Sequence, residues 1–279
     1  MSQTRLPAAT PASISAAARL RADVQGFLDD AEAVAGREIA PRRARGIVVP
    51  HAPLGLAGST AAVAFASVRV PATCVLLAPA DDVRGASDDR AALLPGPRAT
   101  PLGELPADRA LADALLRAGV GLVAEDAAAR PAEHVLDTVL PFLQLRAPEA
   151  SVVTVLLPWD AWQPAEHLAR AVAAAIGGRD DVLVVAASNM NRGEGDETTR
   201  DKDALALAHV VALDGAALLD AVRAEGISMS GASAVACACE VARLRGARAG
   251  ELVAYSHSGI VTGDPEGVTG YAAVLLGAG

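Results

Sequence analysis

Apolar and polar positions are arranged in blocks along this chain rather than residue by residue. Short apolar runs at 47–49, 74–77, 152–157 (broken only by Thr154) and 182–187 predict strands buried on both faces. Two more strands are expected near 252–256 and 271–275. Between these runs, apolar residues recur at helical spacing with charged residues interposed. Helices are predicted over 11–36, where Leu20, Val24, Phe27 and Leu28 share a face, and from Gly58-Ser59 through Phe65, with Ser59 as N-cap. Further helices are predicted over 107–117, 133–145, 164–176, 201–207, 213–225 and 232–244. The stretch 81–101 is polar and rich in Pro and Gly, and it predicts a long irregular loop.

Short buried strands alternating with helices imply a single α/β domain, with a mainly parallel sheet and helices on both faces. No repeat or low-complexity linker divides the chain. Residues 1–45 are expected to form an N-terminal helical extension, and residues 46–279 the α/β domain. In such sheets ligands bind beyond the carboxyl ends of the strands. Three predicted strand ends carry polar clusters: His51; Asp81 with Asp82; and Asn189 with Asn191 and Arg192.

Composition narrows the function classes. The 279 residues include 24 Lys+Arg against 33 Asp+Glu, a formal net charge of −9, which argues against nucleic-acid binding. Aromatic residues are only 3%, so few rings are available to stack on bases. Hydrophobic residues reach 52%, much of it alanine, yet no apolar run approaches the roughly 20 residues of a membrane span. The first 20 residues lack a basic segment followed by an apolar one, so a cytoplasmic protein is expected. Three cysteines make no disulfide framework.

Several side chains could carry chemistry. His51, fixed between prolines at a strand end, could ligate a metal or move a proton, or simply complete a turn. Asp81 and Asp82 could bind a divalent cation or cap a loop. His134 and Asp137, three apart on a predicted helix, share a face, although acidic residues in a first turn also complement the helix dipole. Cys237 and Cys239, two apart in a helix, point to different faces and read as buried structural thiols, as does Cys74. His167 and His209 read as structural, and His257 as a minor candidate. No phosphate-binding loop, dinucleotide fingerprint or nucleophile elbow is present.

Taken in order, several segments resemble the Memo-like family, known in bacteria and archaea as protein B of the AmmeMemoRadiSam system and related in fold to class III extradiol dioxygenases. These are Pro50-His51-Ala52-Pro53-Leu54-Gly55 and Leu76-Leu77-Ala78-Pro79-Ala80-Asp81, followed by Thr100-Pro101-Leu102-Gly103 with Asp108. Glu133-His134-Val135-Leu136-Asp137 with Leu140-Pro141-Phe142-Leu143-Gln144 comes next, then Ala187-Ser188-Asn189-Met190 and Met229-Ser230-Gly231. The C-terminal Tyr255-Ser256-His257-Ser258 and Gly270-Tyr271-Ala272-Ala273 complete the series.

The resemblance implies a metal cluster at three positions, here His51, Asp81 and Ser230. Only the first keeps the family's residue, since Asp81 replaces a histidine and Ser230 a cysteine. A family aspartate corresponds to Asn189, and the histidine at the expected acid/base position falls near Arg192. An alcohol stays protonated near neutral pH and binds transition metals weakly. The substitutions therefore point to a degenerate metal site, with no cofactor or only a weakly held divalent metal such as iron. The expected function is a non-catalytic component that binds a small, anionic ligand or a partner. His134, Asn189 and Arg192 are its pocket residues. The resemblance also implies AMMECR-type and radical SAM proteins as partners. The alternative is a metal-dependent dioxygenase-type oxidoreductase with a rebuilt site of His51 and Asp81, completed by His134 or His257.

Overall fold

The computed structural model describes residues 11–80, 90–125, 134–158 and 160–279. One sheet organises them, in the order β10-β11-β1-β8-β2-β7-β3-β6, with β9 (Arg192–Glu194) pairing β11. Its centre is parallel: β1 (Gly46–Val49), β8 (Val182–Ala187), β2 (Thr73–Pro79) and β7 (Ser151–Leu157) run side by side. At one flank β11 (Val268–Leu276) adds antiparallel to β1, followed by β10 (Gly250–His257). At the other, β3 (Ala91–Leu94) adds antiparallel to β7, and β6 (Leu122–Ala124) pairs parallel to β3. The expected parallel sheet is thus the centre of a mixed one.

The apolar runs explain this centre. Every residue of β1, β2 and β8 is buried, and alternate side chains enter opposite layers. Val75, Leu77, Val184 and Ala186 face a layer built by α4 (Arg109–Arg117), α7 (Trp162–Ile176), α8 (Asp196–Val211), α9 (Gly215–Ala224) and α10 (Ala232–Leu244). Cys74, Leu76, Leu183 and Val185 face the other layer, built by α1 (Pro11–Asp29), α2 (Ala31–Ala35), α3 (Leu54–Ser67), α5 (His134–Asp137) and α6 (Val139–Arg146). Within that layer Phe65 of α3 stacks on Phe142 of α6, with centroids 5.4 Å apart and planes 4° from parallel. Such a pair adds about 1 kcal/mol beyond burial. It also fixes the two helices that later wall the site.

Some predicted boundaries move. The helix expected over 11–36 is two, α1 and α2, separated at Asp30. The second helix begins at Leu54, so Ser59 lies inside it and caps nothing; Pro53, whose missing N–H costs nothing at a helix start, holds the N-cap. The stretch expected as loop over 81–101 contains the buried strand β3 and the first strand of a hairpin, β4 (Arg98–Thr100) with β5 (Gly103–Leu105). Ala91-Ala92-Leu93-Leu94 is too short a run to stand out beside its Pro and Gly neighbours. The helix expected over 133–145 breaks at Thr138, whose hydroxyl donates to Ala52 O at 2.7 Å. Helix α8 starts five residues before the expected 201, because Asp196 and Glu197 suit its N-terminal dipole. Cys74, Cys237 and Cys239 are all fully buried, as expected of structural thiols. Burial pushes the Cys74 and Cys239 thiols up to about 12, which leaves them inert near neutral pH. Among the described residues no helix is long and apolar enough to cross a membrane.

Candidate functional site

Beyond the carboxyl ends of β1 and β8 lies a cleft of about 710 Å³. Its polar lining includes His51, Asn189, Arg192, Ser230, Asp137 and Thr138, and α1 contributes Leu20 to its apolar wall. Five residues singled out from the sequence therefore meet here: His51, Asp137, Asn189, Arg192 and Ser230. Asp81 lies outside the described residues, as does the side chain of His134, whose backbone opens α5. His257 does not line this cleft. It is buried against α8, with Nε2 2.7 Å from Arg200 Nη2 and 3.1 Å from Asp196 Oδ1.

The parts of the cleft are tied to one another. The His51 backbone N–H donates to Asn189 Oδ1 at 3.1 Å. Ser230 Oγ lies 3.2 Å from His51 Nε2. Ser188 is fully buried at the end of β8, and its hydroxyl donates to Ser230 O at 2.7 Å. Gly231 then turns the chain into α10 with φ +86°, where a Cβ would collide with the Ala187 carbonyl. Ser230 is thereby pressed against the strand ends, which sets its distance from His51.

Arg192 is positioned by a second network. Asn191 is fully buried, and its side chain accepts from Ser228 N at 2.9 Å while donating to Glu194 Oε2 at 2.7 Å. Arg192 N donates to Ser228 Oγ at 2.9 Å, and that hydroxyl donates to Arg192 O at 2.9 Å. Lys202, the chain's single lysine, donates to Glu194 Oε1 and to Gly226 O. The Lys202 ammonium and the Asn191 amide hold the Glu194 carboxyl below its usual range. Beneath them Asp203 accepts from Asn191 N at 2.7 Å and from Tyr255 Oη at 2.8 Å. Burial pushes the Asp203 carboxyl up to about 6, against the pull of those two hydrogen bonds.

Sequence reasoning placed Asn191 beside the site, but the structure makes it the buried hub behind Arg192. Ser188 is legible only as part of a motif, and Ser228, Thr138 and Asp203 are missed altogether. Short hydroxyl residues near turns carry no periodic signal, and Asp203 sits in a helical stretch that reads as a solvated face.

Two of the three metal positions implied by the family are described. At one, His51 Nε2 is within hydrogen-bond reach of an alcohol; the other is that alcohol, a weak transition-metal ligand. Among the described residues no group of three or more His, Cys, Asp and Glu side chains could hold a metal ion.

A mixed sheet with a parallel centre and helices on both faces is the architecture of an α/β protein, and in such sheets the carboxyl edge is where ligands bind. Residues 16–275 match the Memo-like protein family, and the chain belongs to it. It is 31% identical over 236 residues to a MEMO1 family protein of Methanopyrus kandleri, covering 83% of this chain and 82% of that one. A MEMO1 family protein of Ignicoccus hospitalis is 32% identical over 246 residues, covering 85% of each chain.

Proposed function

We propose that this Memo-like protein has given up the family's metal chemistry and uses its strand-end cleft to bind a small anionic ligand. The observation that carries this reading is the 3.2 Å approach of Ser230 Oγ to His51 Nε2, in a cleft that Arg192 also lines. A hydroxyl and a guanidinium fit a dication poorly, whereas a guanidinium with nearby neutral donors suits a carboxylate or phosphate. Asp137 lines the same cleft and favours a ligand whose other end carries hydrogen-bond donors, as a hydroxy acid does. The protein acts in the cytoplasm as a component of an AmmeMemoRadiSam-type system, with AMMECR-type and radical SAM proteins as partners.

Calorimetry with a panel of small hydroxy acids and phosphates tests this reading. Binding by the full chain, weakened about tenfold or more in Arg192→Gln, supports it; a charge-assisted pair of this kind contributes about 1.5–3 kcal/mol. Equal affinities in the two proteins would refute it.

A further inference from the structure

Ser230 and His51 are a nucleophile next to a base. We propose that this pair makes the cleft an acyl-transfer site, hydrolysing small anionic esters or thioesters. The inference goes beyond ligand binding and rests on that reading only for the anionic part of the substrate.

A serine hydroxyl becomes a competent nucleophile when a neutral imidazole within hydrogen-bond reach takes its proton. The 3.2 Å separation of Ser230 Oγ and His51 Nε2 gives that reach, with Nε2 the acceptor in the Nδ1–H tautomer, and both residues line the cleft. Neither is carried on a loose segment. Ser230 is held by the Ser188 hydroxyl on its carbonyl and by the close approach of Gly231 to β8. His51 is held by its N–H bond to Asn189 and by the Thr138 hydroxyl on the next carbonyl, Ala52 O. Catalytic groups need this kind of support from fixed elements.

Charge placement orients the substrate. Asn189 Oδ1 is taken by His51 N–H, which leaves the amide's donor end as the polar group it offers the cleft. A side-chain amide of that kind can stabilise an oxyanion. Ser230 also borders a recess of about 70 Å³ at the start of α10, lined by Asp160 but not by His51 or Asn189. A carboxylate there repels a developing negative charge, so the carbonyl oxygen belongs on the Asn189 side. Arg192 then receives the substrate's permanent anionic group.

The step balances without redox change. Ser230 Oγ attacks the carbonyl carbon, its proton passes to His51 Nε2, and the carbonyl electron pair moves to oxygen. Collapse expels the alcohol or thiol, which leaves with that proton. Water repeats the sequence on the acyl-serine and releases the acid. Water is the only co-reactant.

The test is a fluorophosphonate probe applied to the full chain, with the adduct mapped by peptide mass spectrometry. The probe forms an Oγ–P bond as fluoride leaves, and it reports an activated serine whatever the natural substrate. The expected result is an adduct on Ser230 that forms about 100-fold or more slowly in His51→Gln, the usual scale of general-base assistance. Ser230→Ala, checked by its melting curve, should lose that adduct. Ser230→Cys guards against a folding defect: the native cysteines are fully buried, so its new thiol should alkylate selectively, and more slowly when combined with His51→Gln. No adduct on Ser230, or one indifferent to His51→Gln, would overturn the proposal. Anion binding measured on the same samples separates the two readings. Binding without an adduct removes acyl transfer and leaves the ligand reading standing; an adduct without anion binding removes the anionic substrate class.

Discussion

The His51 backbone N–H and Asn189 Oδ1, 3.1 Å apart, join the carboxyl ends of β1 and β8 through a side chain. The strands beneath are adjacent and parallel, with Val49 opposite Ala187. Asn189 thus does two things: it anchors the histidine loop and it presents an amide to the cleft.

Those roles separate by substitution. Asn189→Ala leaves the His51 N–H without this acceptor, which should cost about 1–2 kcal/mol and lower Tm by a few degrees in a chain of this size. Asn189→Asp keeps an oxygen acceptor and should recover most of that stability, while its added charge weakens anion binding. Thermal melts with calorimetry on both variants check this. Equal anion affinity in Asn189→Asp and the wild type would show that the amide does not face the ligand.

Gly231 is a sharper test of how Ser230 is placed. Alanine there would have to hold φ near +86° and push aside the Ala187 carbonyl. Strain and overpacking together should cost about 2–4 kcal/mol, and Ser230 should move away from His51. Denaturant unfolding reads the first effect and anion affinity the second. A Gly231→Ala protein with native stability would mean that the turn is far more pliable than its contacts imply.

Much of the scaffold was legible because buried parallel strands write themselves as continuous apolar runs. The span of β8 was read residue for residue, and α10 likewise, from its uninterrupted small and apolar residues. What escaped was structure held by tertiary contacts. Strand β3 and the β4–β5 hairpin are short and lie among turn residues, and they exist because β7 and α6 offer partners: Leu93 pairs with Val155, and Gln144 Nε2 donates to Gly103 O at 2.9 Å. The cleft was half legible. His51, Asn189, Arg192 and Ser230 follow strand ends or a recognisable motif, but Ser188, Ser228 and Asp203 act through hydrogen bonds that no spacing encodes.

Asp203 predicts a pH dependence. Its carboxyl lies at about 6 in the folded protein, above the value of about 4 expected when unfolded, so the folded state binds that proton more tightly. Its contribution to stability is therefore full below about pH 4, falls as pH rises toward 6, and is flat above. The whole effect is on the order of 3 kcal/mol. Asp203→Asn keeps an oxygen for Asn191 N–H but cannot ionise. Urea unfolding of both proteins from pH 4 to 8 should show the wild type losing stability relative to the variant as pH rises. Parallel curves would contradict the assignment.

Helix α1 closes one wall of the cleft with Leu20 and packs through Phe27 against Gly58 of α3, where a Cβ would sit 2.6 Å from the ring. Gly58→Leu should dislodge and fray α1, so that the backbone after Arg19 and Arg21, whose side chains are already exposed, fits trypsin's site, and it should open the cleft. Faster cleavage at those arginines with an altered anion affinity is the expected pair of results. Faster cleavage at unchanged affinity would make α1 a structural cover only.

Metal content decides most directly whether the cleft has left the family's chemistry. The full chain, purified without chelator and reconstituted anaerobically with iron(II), is measured by mass spectrometry beside His51→Ala. Metal far below one per chain in both proteins is the predicted result. Near-stoichiometric metal in the wild type, lost in His51→Ala, would contradict it and restore an oxidoreductase with a rebuilt His51 and Asp81 site.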